Sequence, residues 1–248
     1  MIKMLHKQTN GYPENYRYVF DPEGLYGGNQ LVPERDPGKY AHIVRSYFNC
    51  TDDDIAALLR RLSDEGCGYV ALVNSIFLRY YGCEEEFRES FHYPMFTPEG
   101  RLNFNDLLVD LYCATDNHNE LLFGIDSIDH LEDRRLKKGY GTTMESLDWR
   151  FELYMRKHRI PAKLITLADK TIDVEKTLPL GPVLVSIRPT TLYDIDGKVV
   201  KDVKGGHTMN VTGAAENGLI RVSSWGKEFY VKHGSYKGYE YYQQILFG

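Results

Sequence analysis

Apolar and polar positions divide this chain into two halves of different period. From residue 51 to about residue 158 the apolar side chains recur at helical spacing. Thr51-Asp52-Asp53-Asp54 is an N-cap followed by an acidic first turn, and predicts a helix over 55–62. The alternative, a calcium site in the acidic run, is the weaker reading. Residues 69–81 predict a second helix, with Val70, Ala71, Leu72, Val73, Ile76, Phe77 and Leu78 leaving no wide polar face. Such a helix belongs in the centre of the molecule, and Gly82 ends it. Further helices are expected over 84–91, over 105–114, and from a Thr142 or Thr143 cap through 158, where Arg159-Ile160-Pro161 stops the last. The polar stretch Asp116-Asn117-His118-Asn119 reads as a turn, since nothing nearby completes a metal site.

After residue 160 the period changes to two. Runs at 164–167, 183–187, 208–212, 219–222 and 228–231 are β-branched or alternating. Asp196-Gly197 and Asn217-Gly218 between them are hairpin signals. In the run after His207, Met209 and Val211 face one way, and Thr208, Asn210 and Thr212 the other. Helices first and an antiparallel sheet second make the fold class α+β. Residues 1–40, rich in Gly, Pro, Tyr and Asn, read as an extended arm or linker. Residues 41–248 form one domain, with a helical lobe over 41–160 and a β lobe over 161–248.

The 248 residues, 42% hydrophobic and 26% charged, suffice for a real core. A net charge of −5 without a basic run argues against nucleic acid as a partner. No apolar run reaches the ~20 residues of a membrane span. The N-terminus lacks the apolar core of a signal peptide, so the expected location is the cytoplasm, or export as a piece of a longer protein. Cys50, Cys67, Cys83 and Cys113 have neither metal-ligand spacing nor the density of a disulfide scaffold. The 19 tyrosines fit β-structure, with an aromatic-lined groove as the sharper alternative.

Two segments carry candidate chemistry. Gly66-Cys67-Gly68 opens the buried helix, where backbone N–H groups and the helix dipole favour a thiolate. Gly205-Gly206-His207 opens a strand and offers a base. Cys50 also precedes a helix, but the acidic residues after it raise a thiol pKa.

Together these segments resemble the papain-like cysteine peptidases, most closely their bacterial C39-like branch. Cys67-Gly68-x-x-Ala71-Leu72 is similar to the nucleophile helix, and Gly206-His207-x-Met209-x-Val211-Thr212-Gly213 to the histidine strand. Ser223-Ser224-Trp225-Gly226 is similar to the Asn-Ser-Trp-Gly segment. The resemblance covers about residues 50–245. It implies a helical lobe whose nucleophile helix packs on a C-terminal antiparallel sheet or half-barrel, and hydrolysis of peptide or isopeptide bonds without cofactor or metal. Cys67 would be the nucleophile, His207 the base and acid, and Ser223 the group that orients His207, with Glu216 or Asn217 as substitutes. Trp225 would shield the histidine.

The chain departs from the pattern twice: serine stands for asparagine at 223, and Arg61 stands where the oxyanion glutamine is usual. The Cys67 N–H remains as one oxyanion donor, with Asn49 or Gln30 as candidates for the other. The expected partner is a peptide or protein substrate. A catalytically degenerate peptide-binding module, or an acyl-transferase or deamidase on the same dyad, are the alternatives. Roles as a bacterial effector or toxin, or in leader-peptide processing, are compatible by analogy.

Overall fold

The computed structural model describes residues 26–115, 144–167, 172–215, 217–234 and 238–248, with the side chains of 144–146 left aside. The turn at 116–119, the caps Thr142 and Thr143, Glu216 and the first 25 residues lie outside them. Among the described residues the fold is α+β, as expected. The helices are α1 (Pro37–Tyr47), α2 (Asp52–Glu65), α3 (Cys67–Tyr80), α4 (Glu84–Phe91), α5 (Phe104–Thr115), α6 (Met144–Lys157) and the single turn α7 (Val174–Thr177). The strands are β1 (Ala162–Thr166), β2 (Val183–Arg188), β3 (Thr190–Tyr193), β4 (Val199–Val203), β5 (His207–Ala214), β6 (Leu219–Ser224), β7 (Lys227–Lys232) and β8 (Tyr239–Phe247). They form one antiparallel sheet in the order β1-β8-β2-β5-β6-β7-β3-β4.

Local chemistry explains the boundaries. Thr51 and Asp54 form a capping box that starts α2: the Thr51 hydroxyl accepts from the Asp54 N–H, and the Asp54 carboxylate accepts from the Thr51 N–H. The three aspartates at 52–54 therefore serve the helix start. Helix α3 buries nearly every residue, from Gly68 through Phe77 without a break. Its apolar side chains join Val44, Leu58, Leu62, Phe87, Leu108 and Phe151 in the core beneath the helices. A second core on the other side of the sheet collects Val185, Ile187, Met209, Val211, Val222, Val231, Tyr242 and Leu192. Because β8 at one side and β3 at the other contribute to this one cluster, the sheet curls around it.

The expected arm differs from the structure. Helix α1 begins at Pro37, so a boundary at residue 40 falls inside a helix. Tyr40, Ala41 and Val44 give that helix its buried stripe, and the Pro- and Gly-rich entry to it masked the pattern. Ahead of it, the Tyr26 N–H donates to the Gly226 carbonyl at 2.8 Å, and the Gly226 N–H donates to the Gly28 carbonyl at 2.9 Å. Residues 26–28 thus pair with the β6–β7 turn as part of the body. Strand β8, whose tyrosines and glutamines hide its alternation, fills the gap between β1 and β2.

The polar face of β5 packs directly against α3. Asn74 Nδ2 donates to Asn210 Oδ1 at 2.8 Å, and Asn210 Nδ2 donates to the Ala71 carbonyl and to Ser75 Oγ, each at 3.0 Å. The Gly28 N–H donates to Asn74 Oδ1 at 3.0 Å. Tyr26 Oη donates to Thr212 Oγ1 at 2.7 Å. Asn74 and Asn210 are both wholly buried. Replacing Asn210 with Ala leaves several buried partners unsatisfied and is expected to cost about 3 kcal/mol. Urea unfolding measures this, and a loss under about 0.5 kcal/mol would contradict the clasp.

Candidate active site

Cys67 is placed by the junction of α2 and α3. Gly66 serves as the last cap of one helix and the first of the other, its N–H donating to the Leu62 carbonyl at 2.8 Å. A Cβ on residue 66 would stand 2.4 Å from that same carbonyl oxygen, so only glycine permits the tight junction. The junction sets Cys67 at the first turn of α3, half-buried. Its thiol lies beside the backbone N–H and the hydroxyl of Thr208 in β5. The Thr208 hydroxyl continues to Ser186 Oγ in β2 at 2.8 Å.

The charge state differs from the expectation drawn from the helix start. Burial pushes the Cys67 thiol above its ordinary pKa, and this outweighs the downward pull of the Thr208, Gly68 and Cys67 donors. Neutral donors at a helix end stabilise a thiolate less than desolvation penalises it.

His207, the residue before Thr208, opens β5 and is almost wholly buried. Its Nε2 bonds Ser224 Oγ at 2.6 Å. Its ring stacks on Trp225, with centroids 4.0 Å apart and planes 13° from parallel. Lys201 Nζ lies 3.5 Å from the centroid of the Trp225 ring. Burial first, and the Lys201 charge second, hold His207 down to about 3. The imidazole is therefore neutral at ordinary pH, and Nδ1 makes no hydrogen bond among the described residues. Nor does any hydrogen bond join Cys67 to His207. At rest the thiol beside Thr208 and the imidazole of the preceding residue are both neutral.

Trp225 reaches the imidazole through an unusual backbone. Ser224 pairs with Lys227, so Trp225 and Gly226 make a two-residue hairpin turn with φ of 47° and 72°. A bulky residue in that region costs about 1 kcal/mol or more. The stack on His207 and the Lys201 contact offset it.

Of the residues expected at the site, His207 and Trp225 stack on each other, Cys67 lies beside Thr208, the residue after His207, and Ser223 faces away. Ser223 Oγ donates to the Tyr26 carbonyl at 2.7 Å, on the α3 side of the sheet. The orienting hydroxyl is that of Ser224. The reason is alternation: Ser223 pairs with Asn210, whereas Ser224 shares the face of Val222 and His207. The parity of Ile220, Val222 and Ser224 in the sequence carried that signal. Nothing in the sequence marks Thr208 and Ser186 as neighbours of the thiol, since hydroxyls on a polar strand face are common.

Asn49 is exposed and precedes the start of α2. That helix is 14 residues long, which puts roughly 20 Å of rise between Asn49 and Gly66. Gln30 is 4% exposed and makes no hydrogen bond among the described residues. It lies two residues past Gly28, which is bonded to the turn carrying Trp225. Arg61 pairs with Glu65 within α2. Cys50 has its pKa raised chiefly by burial, with Asp54 and Asp52 adding and Arg45 opposing.

Two cavities lie away from Cys67. One, of about 400 Å³, is bounded by α5 and α6, and another, of about 290 Å³, by residues 45–50. Among the described residues no group of three His, Cys, Asp or Glu side chains gathers as a metal site, and no helix is long and apolar enough to cross a membrane. Comparison with protein-family models, curated proteins and solved structures finds no match to this chain.

A depressed His207 pKa fixes a stability profile. Below the ordinary value of 6.5 the unfolded chain takes up a proton that the folded state refuses until about pH 3. The neutral histidine's contribution is thus complete above pH 6.5 and lost as pH falls toward 3, by a few kcal/mol in all. His158, whose pKa is also lowered by burial, adds in the same sense. Denaturant unfolding of wild type and His207→Gln between pH 7 and 4 should therefore give curves that converge as pH falls. Parallel curves would contradict a buried neutral His207.

Proposed function

We propose that this chain is a papain-like thiol hydrolase that cleaves peptide or isopeptide bonds, with Cys67 as nucleophile and His207 as base and acid. The observation that carries the reading is the seam between α3 and β5, where Cys67 lies beside Thr208 and so next to His207 in the chain. On this reading the helices and the curled sheet are the two lobes of a papain-like fold.

The site supports a specific proton path. Ser224 at Nε2 leaves Nδ1 as the nitrogen that receives the thiol proton. As the sulfur turns from Thr208 toward the substrate, it attacks the carbonyl carbon and its proton passes to Nδ1. The carbon–nitrogen bond then breaks as Nδ1 returns the proton to the leaving amine, and water hydrolyses the thioester. Starting from neutral partners, His207 acts as a general base during attack rather than as half of a standing ion pair. The Cys67 N–H and the amide of Gln30, which makes no hydrogen bond among the described residues, are the oxyanion donors this reading uses.

One observation favours the binding-module alternative. A raised thiol and an imidazole held to about 3 both disfavour the reactive charge state. A fold that binds peptide without the chemistry would look the same at rest.

Hydrolysis of a peptide library separates the two. Cys67→Ala should abolish turnover while leaving the far-UV spectrum unchanged. Ser224→Ala should lower kcat/KM about tenfold, the worth of one hydrogen bond, and Ser223→Ala should weaken folding more than turnover. Unchanged turnover in Cys67→Ala would sink the proposal.

A further inference from the structure

The charges around Cys67 and His207 are unlike those of the whole chain. The chain carries −5, yet two cations, Arg188 and Lys201, stand on either side of Gly206 and His207. Arg188 ends β2 opposite Tyr239, the first residue of β8. A Cβ on Gly206, the residue before His207, would lie 3.9 Å from Arg188 Cβ and 2.1 Å from the Tyr239 hydroxyl. Arg188 and Tyr239 therefore wall the approach to Gly206 and His207. Tyr239, at 40% exposure, stands within electrostatic reach of both the Cys67 thiol and Arg188. On the other side, Lys201 lies over Trp225, which stacks on His207.

Arg188 and Lys201 are exposed and make no ion pair among the described residues. Asp202 and Glu240 follow Lys201 and Tyr239 along their strands, so alternation turns these two carboxylates to the opposite faces. Asp202 accepts from Thr191 at 2.7 Å. Glu240 is held by Tyr242 Oη at 2.8 Å and by the Gly234 N–H. Asp64 is exposed one helical turn ahead of Cys67. Two cations without an ion pair among the described residues, on either side of a buried, neutral imidazole, raise the local potential for whatever approaches the thiol.

We infer that this site selects substrates with an anionic group next to the scissile carbonyl, such as an acidic peptide, and that Arg188 and Lys201 provide the selection. The inference rests on the thiol-hydrolase reading for the word substrate, but the selection itself is a property of the field at Cys67.

A pair of alkylating probes reads that field without turnover. Iodoacetate and iodoacetamide both lose iodide to the thiolate, so the thiolate fraction cancels in the ratio of their rates. The ratio at Cys67, followed by peptide mass, is expected to exceed that of neutral N-acetylcysteinamide. It should fall ~2-fold in each of Arg188→Gln and Lys201→Gln, further in the double variant, and also with added salt. A ratio no higher than the neutral thiol's, or one unmoved in the double variant, overturns the inference. So does failure of both reagents to reach Cys67 in the native protein. A high ratio without peptide hydrolysis would fail the hydrolase reading and leave anion selection standing. Hydrolysis with a low ratio would do the reverse.

Discussion

The meeting of an apolar helix with the polar face of a central strand governs this structure. Helix α3 has almost no exposed side, yet the strand beneath it presents Thr208, Asn210 and Thr212. Such groups are tolerable in a core only when each finds its partner. Asn74 and Asn210 meet that demand by bonding each other, the helix backbone, Ser75 and the Gly28 N–H. An apolar seam could slide; a set of buried amides with fixed donors and acceptors holds one register. That register sets the start of α3 beside the start of β5, and so sets Cys67 beside Thr208.

The same burial shapes the chemistry. Desolvation raises the thiol and depresses the imidazole, so the resting pair is neutral on both sides. Ser224 and Trp225 then fix the ring, one by a hydrogen bond and one by a stack, from adjacent positions at the end of β6. A serine satisfies Nε2 without adding the negative charge that a carboxylate would bring. It therefore orients the ring without raising its pKa, and Lys201 presses that pKa lower. The electrostatics around His207 come from desolvation and from the Lys201 charge, with no buried carboxylate beside the ring among the described residues.

Much of this was legible in the residues. The period change near 160, the Thr51 cap, the apolar helix after Cys67 and the hairpin at Asp196-Gly197 all follow from local rules, and each lies where those rules place it. Helix α1 and strand β8 were not legible, because proline and glycine at one and alternating tyrosine and glutamine at the other obscure the apolar stripe. The hydroxyl that meets His207 was legible to within one residue. Choosing Ser223 over Ser224 came from matching a motif by position, where strand parity decides which hydroxyl faces the ring. The thiol's charge state was not legible at all, since a helix start reveals its donors but not the depth at which it is buried.

We propose that Cys67 and His207 share one site although no hydrogen bond joins them at rest. The most direct test is to follow the histidine ring resonances by NMR before and after alkylating Cys67. The His207 ring should move most, while His42, His92 and His233 stay in place. A His207 ring indifferent to the modification would separate the two residues and contradict the account.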